Sequence, residues 1–203
     1  MQNKLYLFIE GEWDRVFFEV FLHDYLCNTY NFEEIEYPEF AENLEPRAKL
    51  RQLVKEHKVN FLLCPDLDAG YDKLKMSLKK IEKITKLANE EFRIEKEDDL
   101  EMIKNKSFVI VQEIESWYLA GFNEAFCNKA QFKNKFNFYP DTTKINKSNF
   151  DAIARQMNTS PLRLRDILTK IYRNNFSIEE AKKRNESFRK FFEKVSNQTK
   201  RLK

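Results

Sequence analysis

Leu5-Tyr6-Leu7-Phe8-Ile9-Glu10-Gly11-Glu12-Trp13-Asp14 is an apolar run that ends in a glycine turn set among acids. The same arrangement recurs twice. Asp66 and Asp68 follow Phe61-Leu62-Leu63-Cys64, and Glu113 and Glu115 follow Phe108-Val109-Ile110-Val111. Short β-rich runs separated by helix-length segments read as strands of a parallel sheet buried on both faces. In such sheets the carboxyl ends of neighbouring strands line one edge, where ligands bind. The pattern therefore delivers Glu10, Asp14, Asp66, Asp68, Glu113 and Glu115 to one rim. Crowded carboxylates cost free energy unless some take up protons or a cation neutralises them. The simplest such cation is Mg²⁺ or Mn²⁺, both of which prefer oxygen ligands.

Working outward, the chain reads as strands over 4–9, 33–37, 59–64 and 107–112. Helices are predicted over 14–27, 41–57, 71–87 and 114–126, with 88–105 either more helix or an exposed excursion. Residues 128–147 read as a polar loop. Three helices follow it, with start signals at Ser148, at Ser160 before Pro161, and at Ser177 in a capping-box pattern. The expected architecture is α/β, a mostly parallel four-stranded sheet flanked by helices, with a helical C-terminal extension. The division falls at 1–127 and 128–203.

Composition narrows the function classes. Nineteen Phe, eight Tyr and two Trp supply a large core, and only three Gly and five Pro argue against long linkers. No apolar stretch approaches the roughly 20 residues that span a bilayer, and the N-terminus carries no signal-peptide pattern. Cys27, Cys64 and Cys127 are far apart and lack metal spacing, which favours reduced thiols in a cytoplasm. His23 and His57 are too few for a histidine-based metal site and read as ordinary helix residues.

The net charge of +3 hides a split. Residues 129–203 carry 19 Lys and Arg against 7 Asp and Glu, whereas 1–128 carry 17 against 26. One reading is a polyanion gripped by the basic half and presented to a cation on the acidic half. The other is a pair of solvated helix faces of different sign. Candidate phosphate contacts are Lys144, Lys147, Lys170, Arg173, Arg184 and Arg189. Lys144 follows Thr142 and Thr143, whose hydroxyls can share a phosphate with it. Trp117 reads as core, or as a platform for a stacked base.

These motifs also carry a resemblance. LYLFIEGEWDRVFF (5–18) resembles the first motif of the Toprim fold, a strand followed by Glu, Gly and an Asp on the next helix. VNFLLCPDLDAG (59–70) is similar to its second motif, strand then Asp-x-Asp. FVIVQEIESWYLAG (108–121) resembles a third element of stand-alone Toprim-like proteins related to the overcoming-lysogenization-defect (OLD) nucleases of phage defence. SIEEAKKRNESFRKFFEKV (177–195) is similar to their tails. Pro65 stands where some of these nucleases place Ser or Thr.

The resemblance implies a Mg²⁺- or Mn²⁺-dependent endonuclease acting on DNA or RNA. Glu10, Asp14, Asp66 and Asp68 would be catalytic, and Glu10, Asp66, Asp68, Glu113 and Glu115 metal-ligating. It also implies an ATPase partner chain. The sequence has no Gly-x4-Gly-Lys-Ser/Thr loop, so any ATP dependence must come from another protein. A homo-oligomer is compatible with the same reading. The alternative is a non-catalytic subunit that binds nucleic acid or a partner. Most of these acids also have a structural reading, Asp66 and Asp68 as turn formers and Glu12, Asp14, Glu113 and Glu115 as helix N-terminal charges.

Overall fold

The computed structural model describes residues 3–40, 44–56, 60–67, 76–111, 113–129, 132 and 138–199. Asp68, His57, the opening of the helix expected over 71–87 and much of the loop expected over 128–147 lie outside the described residues. The first strand, β1 (Lys4–Ile9), falls where the apolar run places it. It is the centre of a three-stranded parallel sheet, between β2 (Glu34–Glu36) and β3 (Phe61–Cys64). Its register puts Lys4 beside Glu34, Tyr6 beside Phe61 and Ile9 beside Cys64.

Both faces of the sheet are covered, and the two-residue period of a strand sorts its side chains between them. Leu5, Leu7, Ile9, Leu62, Cys64, Phe108 and Ile110 enter one apolar cluster. Phe8, Phe61, Leu63 and Val109 enter the other. The second cluster is closed by α3 (Leu44–Lys55), α4 (Met76–Lys86) and α5 (Glu97–Asn105). The first contains the helix after β1, whose three segments are α1 (Glu12–Phe17), a π-helical stretch (Phe18–Leu22) and α2 (His23–Tyr30). Phe17, Phe18, Phe21, Leu22 and Leu26 along it are buried. Asn31 then stops it in the left-handed conformation common just past a helix.

The fourth expected strand is shorter than the sequence suggests. Only Ile110–Val111 forms β5, and it pairs in parallel with β4 (Asp66–Leu67) in a separate two-residue ladder. Upstream, Ser107 meets Leu63 in a single parallel bridge. Pro65 explains the gap. Its carbonyl accepts from the Ile110 N–H at 2.9 Å, but it has no N–H to give in return. The four-stranded sheet is thus a three-stranded ladder with a fourth segment attached on either side of a proline.

After β5 come α6 (Ile114–Ala120) and α7 (Glu124–Cys127), split at Gly121 where one helix over 114–126 was expected. A Cβ on Gly121 would lie 2.4 Å from ring atoms of Phe176, so this position must be glycine while that ring stays in place. The C-terminal half holds α8 (Lys147–Gln156), α9 (Pro161–Asp166), α10 (Ile178–Arg184) and α11 (Glu186–Thr199). Asn146, not Ser148, caps α8, while Ser160 and Ser177 cap α9 and α10. One expected helix becomes two because Asn185 leaves the helix and accepts from the Phe188 N–H, starting α11. Phe150, Ile153, Leu164, Leu168, Phe188, Phe191 and Val195 share the first apolar cluster with β1. None of the described helices is long and apolar enough to cross a membrane.

Two residues weighed for nucleic-acid contact belong to this packing. Trp117 is fully buried, edge-on to Phe17 and Phe188, and offers no face to a base. Arg184 is only 6 % exposed. Its guanidinium donates to the carbonyls of Tyr139, Ala120 and Phe122, tying α10 to the end of α6 and to the segment before α8. It is therefore a structural clamp, not a phosphate contact. Arg184→Ala should leave three inward carbonyls without their donor, at a cost of about 3 kcal/mol. Calorimetry should show Tm lower by about 6–12 °C in a chain of this size. An unchanged Tm would show that the clamp contributes nothing.

Candidate functional site

The rim is built from backbone outward. Glu10 directly follows β1, and Gly11 precedes α1 as its N-cap residue in an extended conformation. Asp14, in the first turn, reaches back so that its Oδ2 accepts from the N–H of Glu10 at 3.0 Å and of Gly11 at 3.2 Å. This is the carboxylate half of a capping arrangement, and it fixes Asp14 under the turn at 4 % exposure. Glu10 points across the sheet, where its Oε2 accepts from the Asp66 N–H at 2.9 Å. That hydrogen bond joins the ends of β1 and β3 beyond the last rung of their ladder. Lys83, on α4, places its ammonium 3.9 Å from the same oxygen.

Asp66 completes the inner group. Its Oδ1 is buried and has no hydrogen-bond partner. Glu115, 5 % exposed in the first turn of α6, is paired with the buried guanidinium of Arg165 from α9. That guanidinium in turn lies over the rings of Trp13 and Phe150, at 5.1 and 5.3 Å.

Burial and mutual repulsion are legible in the acidities. Burial raises Asp14 to about 7; the Gly11 and Glu10 N–H groups oppose the rise, and the charges of Glu10 and Glu115 add to it. Asp66 is pushed well above the ordinary carboxylate range, first by burial and then by Asp14, Glu10 and Glu115, with Lys83 opposing. The structure thus brings Glu10, Asp14, Asp66 and Glu115 into one electrostatic unit. Among the described residues, no three His, Cys, Asp or Glu side chains are already arranged to hold a metal ion. A buried carboxylate oxygen without a hydrogen-bond partner is nevertheless the kind of donor a hard divalent cation takes.

Other expected site residues are placed differently. Glu113 is the N-cap residue of α6, and its Oε2 accepts from the backbone N–H of Lys147 at the start of α8. Lys144, Lys147, Lys170, Arg173 and Arg189 are exposed. Lys170 pairs with Asp166 at 2.8 Å and Arg189 pairs with Glu193. Thr142 does not share a ligand with Lys144, because its buried hydroxyl is engaged with Asn185 and the Arg184 carbonyl. His23 bonds the Tyr37 hydroxyl at 3.0 Å, as an ordinary helix residue would.

The sequence reading missed two cations. Lys83 is one of many lysines on α4, and Arg165 one of many basic residues in the C-terminal half. Neither carries a local signal, since each acquires its role only by facing a carboxylate from another element. No family model matches the chain, and no curated protein or solved structure matches it either.

The raised acidity of Asp14 sets a pH dependence. The folded state holds this proton up to about pH 7, whereas an unfolded chain releases it near the ordinary aspartate value of 3.8. Stability from this group is therefore present below about pH 4 and lost as pH rises towards 7. Asp14→Asn keeps an oxygen for the two N–H groups and removes the charge. In chelator at pH 8 its Tm should exceed that of the parent by about 5 °C, and the two should converge near pH 4. Equal or lower stability of the variant at pH 8 would overturn the assignment.

Proposed function

We propose that the chain is a divalent-metal-dependent nuclease with a Toprim-like core. The observation that carries this reading is the buried, unpartnered Asp66 oxygen set among Glu10, Asp14 and Glu115 at the carboxyl ends of parallel segments. Asp66 and Glu10 would hold the ion, with Asp68 two residues further along the chain. Bound there, Mg²⁺ or Mn²⁺ supplies a lowered pKa for an attacking water and charge stabilisation on a phosphoryl oxygen.

The chain's own groups supply the rest. Asp14, poised near neutrality, accepts or returns a proton, and its Oδ2 is fixed by two N–H groups, so the proton is exchanged at Oδ1. Arg165 and Lys83 balance the acidic group and keep Glu115 and Glu10 in place. The exposed cations of the C-terminal half supply long-range attraction for a polyanion, DNA or RNA. A phage-defence role with an ATPase partner belongs to the same proposal, and the ATP-binding loop would be the partner's.

A second reading has its own support. Glu115 and Glu10 already face cations, and no metal-ready trio exists among the described residues, as in a module that binds nucleic acid without turnover. Plasmid, single-stranded DNA and tRNA incubated with Mg²⁺ or Mn²⁺ separate the two. The nuclease reading expects cleavage that chelator abolishes and that Asp66→Ala reduces at least a hundredfold, the loss of a few kcal/mol of transition-state stabilisation. Metal-independent binding with no cleavage of any of the three substrates selects the second reading. Full activity in Asp66→Ala would remove the site assignment.

A further inference from the structure

Beside the rim, at the edge formed by β5, lies a small cavity of about 60 Å³ between α4 and α11. Its wall is Phe108, Val109 and Val111; its polar lining is Lys80, Thr143, Glu186, Ser187 and Lys190. We infer that this cavity seats one phosphate of the nucleic-acid strand next to the cleavage site. The inference rests on the nucleic-acid reading above and adds a subsite to it.

Size decides between ligand parts. A single water needs about 10–15 Å³ of such space, so the cavity has room for about four oxygen-sized atoms. That suits a phosphate group and excludes a nucleobase, which must stay outside.

The donors suit the same group. Among the described residues Lys80 has no carboxylate partner, and its ammonium lies 5.8 Å from the centre of the Phe108 ring. Lys190 lines the same space beside Glu186, whose carboxylate lies 2.6 Å from its ammonium. Burial and the nearby Lys190 both lower the proton affinity of Lys80, which marks two like charges held together without full compensation. The Ser187 hydroxyl already accepts from the Val111 N–H at 3.1 Å, and the Thr143 hydroxyl from the Glu186 N–H at 3.4 Å. With those acceptor roles filled, each hydroxyl proton is available to an anion. Glu186 offsets one of the two ammonium charges, which leaves one net positive charge and two hydroxyl donors around a phosphate-sized space, a charge-assisted anion site.

Placement ties the cavity to the chemistry. Lys80 and Lys83 are three residues apart on α4, hence on neighbouring positions of one face, about 4.5 Å along the axis. Lys83 reaches Glu10 at the rim while Lys80 lines the cavity. Val111 lines it too, two residues before Glu113. A strand lying along α4 can therefore present one phosphate to the carboxylates and its neighbour to Lys80.

The test is fluorescence anisotropy of the full chain with labelled single-stranded DNA and RNA oligonucleotides. It is run in chelator over a range of salt, with inorganic phosphate as competitor. Lys80→Gln and Lys190→Gln should each weaken binding about three- to tenfold and reduce the salt slope by about one. Lys80→Arg should restore both, and Lys86→Gln, further along α4, should change neither. Phosphate should displace the oligonucleotide from the parent and displace it less from either Gln variant. Lys190 is exposed, so its variant carries the test even where Lys80→Gln does not fold. Unchanged affinity and slope in the Gln variants would overturn the inference. So would phosphate that binds without displacing the oligonucleotide, which would assign the cavity to a free anion. Because these readouts need neither metal nor cleavage, they fail or succeed separately from Asp66→Ala in the nuclease assay.

Discussion

Tyr6 to Ile9 pairs in parallel with Phe61 to Cys64, so both segments leave the sheet at the same end, and Glu10 meets Asp66 there. An antiparallel pairing of the same two runs would send the acids to opposite ends. Parallel alignment in turn requires cover on both faces, because the connections return over the sheet. The two apolar clusters, with Leu7 and Ile9 facing one and Phe8 the other, are the physical form of that requirement. The Glu10 side chain extends the pairing past the last rung by accepting from the Asp66 N–H. It is at once a structural fastening and the first residue of the candidate site.

Once the carboxylates are gathered, electrostatics governs what else must be present. Buried like charges are unfavourable unless compensated or neutralised by protons. The protein uses several remedies side by side. Arg165 pairs with Glu115, Lys83 stands near Glu10, and two backbone N–H groups hold Asp14. Asp14 and Asp66 meet the remaining cost by holding protons to higher pH than usual. Among the described carboxylates of this group, the Asp66 Oδ1 is buried and without a hydrogen-bond partner. The proposed divalent cation would meet the part of this cost that the chain's own groups leave.

The basic half contributes to the structure in two ways that its charge count merges. Arg165, Arg184 and Lys182 are spent inside the fold, on Glu115, on three backbone carbonyls, and on the Tyr25 hydroxyl and Glu179 respectively. Lys144, Lys147 and Arg173 remain at the surface. A surplus of positive charge in a segment is therefore an upper bound on the charge it offers to a partner. The helices that carry it are not an appendage to the sheet either, since Phe188, Phe191 and Val195 fill the same cluster as Leu5 and Leu7.

The three strands of the parallel sheet and the acids that follow two of them were legible in the sequence, because each is written in a local pattern, whereas the fourth strand came out shorter than its pattern. Four to six apolar residues followed by Glu or Asp need no knowledge of the rest of the chain. Helix starts at Ser160 and Ser177 were legible for the same reason. Other features depend on partners distant in sequence, and only the tertiary structure decided them. Pro65 interrupts a ladder only because Phe108 and Ile110 lie alongside it. Gly121 is required only because Phe176 folds back against it, and Asn185 breaks a helix where its side chain can meet Ser116 and Thr142. Arg165 became the counterion of Glu115 from 50 residues away, while Arg184 was drawn from the surface into the core by carbonyls more than 40 residues distant. A side chain's charge is fixed by its identity, but whether it meets water, a carboxylate or a carbonyl is fixed by which elements pack around it.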